Sequence, residues 1–245
     1  MNNTDFLKNR CAIVTGASGG IGTALVRKLA GYKMNLVIVG RREAVLNETR
    51  EMIISEGGQC ETAVGDLSSC DFVRSLPDLA VKAFGRLDVV INCAGIAQHS
   101  SFEEVTPEFY NEIMESNVRA PYFLCQASLN YRRESDAATI INICSVVAHK
   151  GYPLQSVYAA SKHALLGLSK SLANEVYKDN IRVHVISPGA VYTPMAACSR
   201  PDLSAEGLPV PEDIAEIAGF FLEHRMSSAV IDELELHRSN KAPFA

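Results

Sequence analysis

The sequence predicts an α/β chain folded as a single doubly wound domain, with about seven parallel strands and helices on both faces. Three observations carry that expectation. Short apolar, β-rich runs alternate with segments of helical spacing along the whole chain. The runs are apolar on both faces, as strands covered on both sides must be. The 245 residues are 47% apolar and 21% charged, the balance of an ordinary globular chain able to bury a substantial core. No linker rich in Pro, Gly or Ser divides 1–245, and no internal repeat is visible, so one domain is expected.

The elements follow in order. CAIVT at 11–15 reads as the first strand, and 20–30 as the helix behind it. A second apolar run lies at 35–39, followed by helical spacing over 43–55 with Val45, Leu46, Met52 and Ile53 on one side. Residues 59–64 alternate like a strand, and 68–84 are helical with a break expected at Pro77. Strands are expected at 87–91, 139–144, 181–186 and 229–236. Long helices are expected at 107–129 and 156–177, and a last one at 212–222. The stretch 192–211 carries Pro194, Pro201, Gly207, Pro209 and Pro211 with little periodicity. A loop that long in a compact domain marks function, and it reads as a substrate lid.

Composition removes several function classes. Net charge is -5 and no Lys/Arg run exceeds a pair, so no nucleic-acid partner is expected. The opening MNNTDFLKNR lacks the apolar core of a signal peptide, and no apolar stretch approaches membrane length. A cytoplasmic protein without a membrane span is expected. Its seven cysteines are odd in number and form no C-x-x-C pair, which suits free thiols in a reducing compartment. No Cys/His cluster has zinc spacing, so no metal is expected.

TGASGGIG, Thr15 to Gly22, follows the first strand and opens the first helix. Glycines there let a backbone approach a pyrophosphate, and a helix N-terminus offers free N–H groups to it. Gly16, Ser18, Gly19, Gly20, Ile21 and Gly22 are therefore candidates for a dinucleotide site in a Rossmann-type domain. The glycine spacing is G-x-x-x-G-x-G, and a purely structural tight turn is the competing reading. At the end of the second strand an acid would hold the ribose of NAD, whereas an arginine suits the 2′-phosphate of NADP. The sequence there is Val39-Gly40-Arg41-Arg42, so NADP(H) is expected ahead of NAD(H), with Arg41 and Arg42 as selectors. Asp66-Leu67 after the third strand is placed to meet an adenine, or else to start the next helix.

Tyr158 and Lys162 stand four apart in YAASK and share one face of a helix. Tyrosine alone is a poor base at neutral pH, and a nearby ammonium favours its phenolate. Such a pair can give or take a proton at a carbonyl or alcohol oxygen. Ser145 ends the apolar run TIINICS at the strand edge where ligands bind, and its hydroxyl can meet the same oxygen.

With these residues in this order, the chain resembles the short-chain dehydrogenase/reductase family over about residues 8–195. The resemblance rests on Thr15–Gly22, Asp66-Leu67, Asn92-Cys93-Ala94-Gly95, Asn117, Ser145, Tyr158-x-x-x-Lys162 and Pro188-Gly189-Ala190-Val191-Tyr192-Thr193. It implies an NADP(H)-dependent oxidoreductase moving a hydride between nicotinamide and a carbonyl or secondary alcohol. Tyr158 is then the general acid/base, Lys162 its partner and a ribose ligand, and Ser145 the group that orients the carbonyl. Asn117 is implied to hold a water linking Lys162 to solvent, the competing reading being a helix-interior asparagine that bonds backbone. Asn92, Ala94 and Gly95 are implied to lie beside the cofactor, with Pro188, Gly189, Val191 and Thr193 on its nicotinamide side. The family also implies a homodimer or homotetramer. An NADP(H)-binding sensor without turnover is the alternative, and the intact Ser145, Tyr158 and Lys162 weigh against it. The lid residues Met195, Ala196, Ala197, Leu203, Leu208 and Val210, with Arg200 and Asp202, suit a mainly apolar small-molecule substrate. His99 and His149 are candidates for the pocket rim. Cys93 and Cys144 replace the family's usual Asn and Ser, and the ending SSAVIDELELHRSNKAPFA departs from the common glycine-rich tail.

Overall fold

In the computed structural model, which describes residues 4–240, seven strands form one all-parallel sheet in the order β3-β2-β1-β4-β5-β6-β7. The strands are β1 (Cys11–Thr15), β2 (Asn35–Gly40), β3 (Gln59–Val64), β4 (Val89–Asn92), β5 (Thr139–Ile143), β6 (Arg182–Pro188) and β7 (Glu233–Leu236). Every residue of β1, β2, β4 and β5 is buried, which is why those runs read as continuously apolar. Edge strand β3 alternates between burial and exposure.

Helices cover both faces. They are α1 (Gly20–Gly31), α2 (Glu43–Ser55), α3 (Cys70–Phe84), α4 (Pro107–Met114), α5 (Ala120–Arg133), α6 (Ser156–Val176), α7 (Pro194–Ser199) and α8 (Pro211–Glu223). One core joins α1 and α8 to the sheet through Leu25, Leu29, Ile38, Ile186, Ile214 and Phe221. A second joins α3 and α5 to the other face through Val37, Val73, Leu76, Val90 and Leu124.

Three expectations are corrected. Helix α3 begins at Cys70 and runs through Pro77 without a break. Proline costs about 3 kcal/mol inside a helix, but both ends are capped. Ser69 Oγ accepts from the Phe72 N–H, and Gly85 closes the helix at φ 72. Val73, Leu76, Pro77 and Ala80 are buried along the inner side. The single helix expected over 107–129 is α4 and α5 separated by a π-helical turn at Glu115–Arg119. Apolar spacing does not register that extra residue. The last strand pairs with β6 only from Glu233 onward. The near end of β6 is met instead by the turn after α8, where Arg182 donates to the carbonyls of His224 and Ser227.

Candidate active site

The strand order reverses between β1 and β4, and a cleft of about 1250 Å³ opens above their C-terminal ends. Single-ligand pockets hold roughly 300–1,000 Å³, so this one has room for a dinucleotide beside a substrate.

The glycine turn forms one wall, and its glycines serve two purposes. Gly16 sits at φ +69, and a Cβ there would fall 2.8 Å from the backbone of Ala94. A Cβ on Gly22 would fall 2.1 Å from the Gly16 carbonyl oxygen. Both positions are closed to side chains by the protein's own backbone, before any ligand arrives. Thr15 secures the same junction, its Oγ1 accepting from the N–H groups of Cys93 at 3.1 Å and Ala94 at 3.2 Å. Helix α1 then starts at Gly20 with no side-chain cap. Its first N–H groups have no partner within the helix, and they open onto the cleft at the positive end of the dipole. This is a built place for a pyrophosphate, and the residues present fit a nicotinamide dinucleotide.

The arginines at the end of β2 differ in their bonding. Arg42 donates to the Ser18 carbonyl and so braces the glycine turn. Arg41 is exposed at the cleft wall. Asp66 accepts from the Ser68 N–H at 2.8 Å. That bond, with the Ser68 hydroxyl and the Arg41 charge, outweighs burial and holds the Asp66 carboxyl below its ordinary range. Leu67 lines the cleft beside it.

Ser145, Tyr158 and Lys162 line the same cleft. Ser145 follows β5 in extended backbone, and its Oγ accepts from the Val147 N–H at 3.3 Å. Tyr158 and Lys162 lie one helical turn apart near the start of α6. The Lys162 Nζ donates to the Ile143 carbonyl at 2.9 Å and stands 5.8 Å from the centre of the Tyr158 ring. No described residue hydrogen-bonds the Tyr158 hydroxyl.

Nineteen of the twenty-one candidate catalytic and cofactor-binding residues line this cleft: Gly16, Ser18, Gly19, Gly20, Ile21, Gly22, Arg41, Arg42, Asp66, Leu67, Ala94, Gly95, Ser145, Tyr158, Lys162, Pro188, Gly189, Val191 and Thr193. Asn92 and Asn117 do not. Asn92 is buried below the cleft floor, where its Nδ2 donates to Asn142 Oδ1 at 2.8 Å and to Cys125 Sγ. It ties β4 to β5 and α5. Asn117 is buried in the π turn. Its Oδ1 accepts from the Ile96 N–H, and its Nδ2 donates to the Ile96 carbonyl and Ser161 Oγ. Its side-chain amide is thus engaged with the loop at Ile96 and with α6.

His99 and His149 also stand off the cleft wall. His99 Nδ1 meets the Ser199 carbonyl at 2.8 Å, and His149 Nε2 meets Glu233 at 2.7 Å. Cys93 and Cys144 line the cleft, and burial pushes both thiols up, Cys93 to about 12 against the opposing Lys162 charge. Three of the contributors that escaped the sequence reading stand out. They are Gln98, which bonds the first turn of α6, and His237 and Arg238, which line the cleft from the tail. Only tertiary placement brings them there.

Between β6 and α8, the expected lid residues divide. Met195, Ala196, Leu203 and Arg200 line the cleft, while Ala197, Leu208 and Val210 do not. Arg200 is held by Asp202 through two bonds of 2.8 and 2.7 Å. Among the described residues no group of three His, Cys, Asp or Glu side chains could hold a metal, and no helix is long and apolar enough to cross a membrane.

Comparison with known proteins agrees with this geometry. The chain is 32% identical over 238 residues to the 3-oxoacyl-acyl-carrier-protein reductase FabG of Chlamydia muridarum, covering 94% of this chain and 96% of that one. It is 34% identical over 240 residues to a 3alpha-hydroxysteroid dehydrogenase of Mediterraneibacter gnavus, covering 94% and 95%. A metagenomic short-chain oxidoreductase solved in complex with NADP superposes with a TM-score of 0.82 at 28% identity, over 95% of this chain and 99% of that one. The family model for short chain dehydrogenases matches residues 10–204. Matched over most of its length and alike in fold, the chain belongs to the short-chain dehydrogenase family of nicotinamide-dependent oxidoreductases.

Proposed function

We propose that this enzyme uses NADP(H) to interconvert a mainly apolar carbonyl compound and its secondary alcohol, with Tyr158 as general acid/base. The observation that carries the reading is the Tyr158 hydroxyl, left without a hydrogen-bond partner among the described residues, in the cleft that also holds the glycine turn. A bound nicotinamide supplies or accepts the hydride. The chain's own residues do the rest. Ser145 Oγ holds the carbonyl oxygen, and the Tyr158 phenol gives it a proton in reduction and takes one back in oxidation. The Lys162 ammonium, 5.8 Å from the ring centre, is a fixed positive charge where negative charge develops on Tyr158. Asn117 acts by fixing the loop at Ile96 and the α6 backbone through Ser161.

Arg41, exposed at the end of β2 with no acid at the strand end, favours the 2′-phosphate of NADP. The stretch 192–211 serves as the substrate lid of a one-domain enzyme. Met195, Ala196 and Leu203 on the lid line the cleft together with Val146 and Val147 and offer an apolar surface to substrate. The curated relatives act, by name, on a 3-oxoacyl group and a hydroxysteroid, which share a ketone or secondary alcohol on an apolar body.

The test is a fluorescence titration with NADPH and NADH, followed by a panel of 3-oxoacyl thioesters and ketosteroids reduced with the tighter cofactor. Tighter NADPH binding and turnover of an apolar ketone are expected. Tighter NADH binding would reverse the role given to Arg41, and binding of neither would remove the oxidoreductase reading.

A further inference from the structure

We infer that Gln98 is a positioning residue for Tyr158: its side chain caps the first turn of α6 from a distant loop and so fixes where the phenol stands. The inference rests on the reading of Tyr158 as the acid/base.

Helix α6 does not cap itself. Its N-cap residue is Gln155, whose side chain makes no capping bond. Gln is not among the residues suited to that position, and the first N–H groups of a helix need acceptors from elsewhere. The acceptor is Gln98 Oε1, which takes the N–H of Val157 at 2.9 Å and of Tyr158 at 3.2 Å. These are the second and third helical residues, the donors an ordinary N-cap side chain would satisfy. Gln98 is itself held at its other end, where Nε2 donates to the Ser100 carbonyl and hydroxyl, both at 3.2 Å. It is 1% exposed, so no water competes for these bonds.

The clamp is one of two on the same turn. Asn117 holds Ile96, two residues before Gln98, and donates to Ser161 Oγ, which in turn donates to the Tyr158 carbonyl at 2.8 Å. Tyr158 is thus fixed at its N–H by Gln98 and at its carbonyl through Ser161. A shift of about 1 Å in a reacting group costs on the order of a hundredfold in rate. Loss of one clamp is therefore expected to appear in kcat rather than in cofactor binding.

The test compares Gln98→Met, which keeps the volume and removes the acceptor, with Gln98→Glu, which keeps the acceptor. Thr106→Ala serves as a control, since it removes the cap of α4 outside the cleft. Gln98→Met is expected to lower kcat about tenfold or more, leave the NADPH Kd within about twofold, and raise amide hydrogen exchange at Val157 and Tyr158. Gln98→Glu keeps the acceptor but loses the Nε2 bonds to Ser100, so it is expected to recover part of that kcat, and Thr106→Ala to lose stability with kcat unchanged. An unchanged kcat in Gln98→Met, or equal loss in the Met and Glu variants, would overturn the inference. Exchange separates the two readings. If the unmodified enzyme reduces no ketone, the assigned reaction fails, while faster exchange confined to that turn still supports the clamp. Unchanged exchange overturns it.

Discussion

The two ends of strands β1, β4 and β5 are built on opposite plans. At their N-terminal ends a buried carboxylate is fully engaged. Asp88, with its side chain fully buried, accepts from the Cys11 N–H at 2.8 Å, Ser135 Oγ at 2.5 Å, and Arg86 Nε and Nη2 at 2.7 Å each. Arg10 reaches the same carboxylate at 3.5 Å and joins Asp136 at 2.8 Å. At the sheet's C-terminal edge several polar groups stay open: the uncapped first turn of α1, the exposed Arg41 after β2, and the Tyr158 hydroxyl, which has no partner among the described residues. One edge of the sheet spends its hydrogen-bonding capacity on holding strands together, and the other keeps it for ligands. Catalytic sites commonly keep such unsatisfied groups and rely on the rest of the fold for stability.

Separate variants should divide these roles. The largest effect is expected from Tyr158→Phe, which removes one hydroxyl at the open edge. Turnover should fall about a thousandfold or more, with NADPH affinity and melting temperature nearly unchanged. Substantial residual turnover would assign the proton to another group. Asp88→Ala, at the closed edge, should do the reverse. It strands the buried Cys11 N–H and Ser135 hydroxyl and removes both close bonds of Arg86, at a cost of about 3 kcal/mol. Calorimetry should show a melting temperature roughly 6 °C lower or more, while the folded fraction keeps its kcat.

Arg41→Ala should weaken NADPH by roughly tenfold, the scale of one charged hydrogen bond, and leave NADH unchanged. Equal loss for both cofactors would show that the guanidinium does not meet the 2′-phosphate. The smallest effect concerns acid. Burial pushes the Asp88 carboxyl up, but bonds from Arg86, Ser135 and the Cys11 N–H overcome it and hold the group below the ordinary carboxylate range. Its contribution is then complete above the unfolded value of about 4. It is lost as pH falls through the lower folded value. Asp88→Asn should flatten that acid limb in denaturant titrations, and a limb unchanged in steepness would place the acid sensitivity elsewhere.

Legibility in the sequence followed the range of the interactions. The central strands and α1 were readable because burial on both faces writes a continuous apolar run, and because a glycine turn is a local pattern. Tyr158 and Lys162 were readable because four residues make one turn of helix. Gln98 was not, since its partners Val157 and Tyr158 lie far along the chain and a lone Gln in a loop carries no pattern. Asn117 was legible as a position and, in the competing reading, as a backbone-bonding asparagine, but not its particular partner Ile96, which only the packed loop supplies. Asn92 was placed on the right strand, but its partners were not legible. Its neighbours Asn142 and Cys125 come from elements whose register only the packed sheet specifies.

The sequence by itself determined the doubly wound order of strands and helices, the glycine turn, and the Ser145, Tyr158 and Lys162 set, because each is encoded by short-range spacing. Only the tertiary structure decided which polar groups are consumed and which stay open. Hydrogen-bond partners such as Asp88 with Ser135, or Gln98 with Tyr158, meet across the fold, and a donor is free for chemistry only when no distant acceptor has reached it.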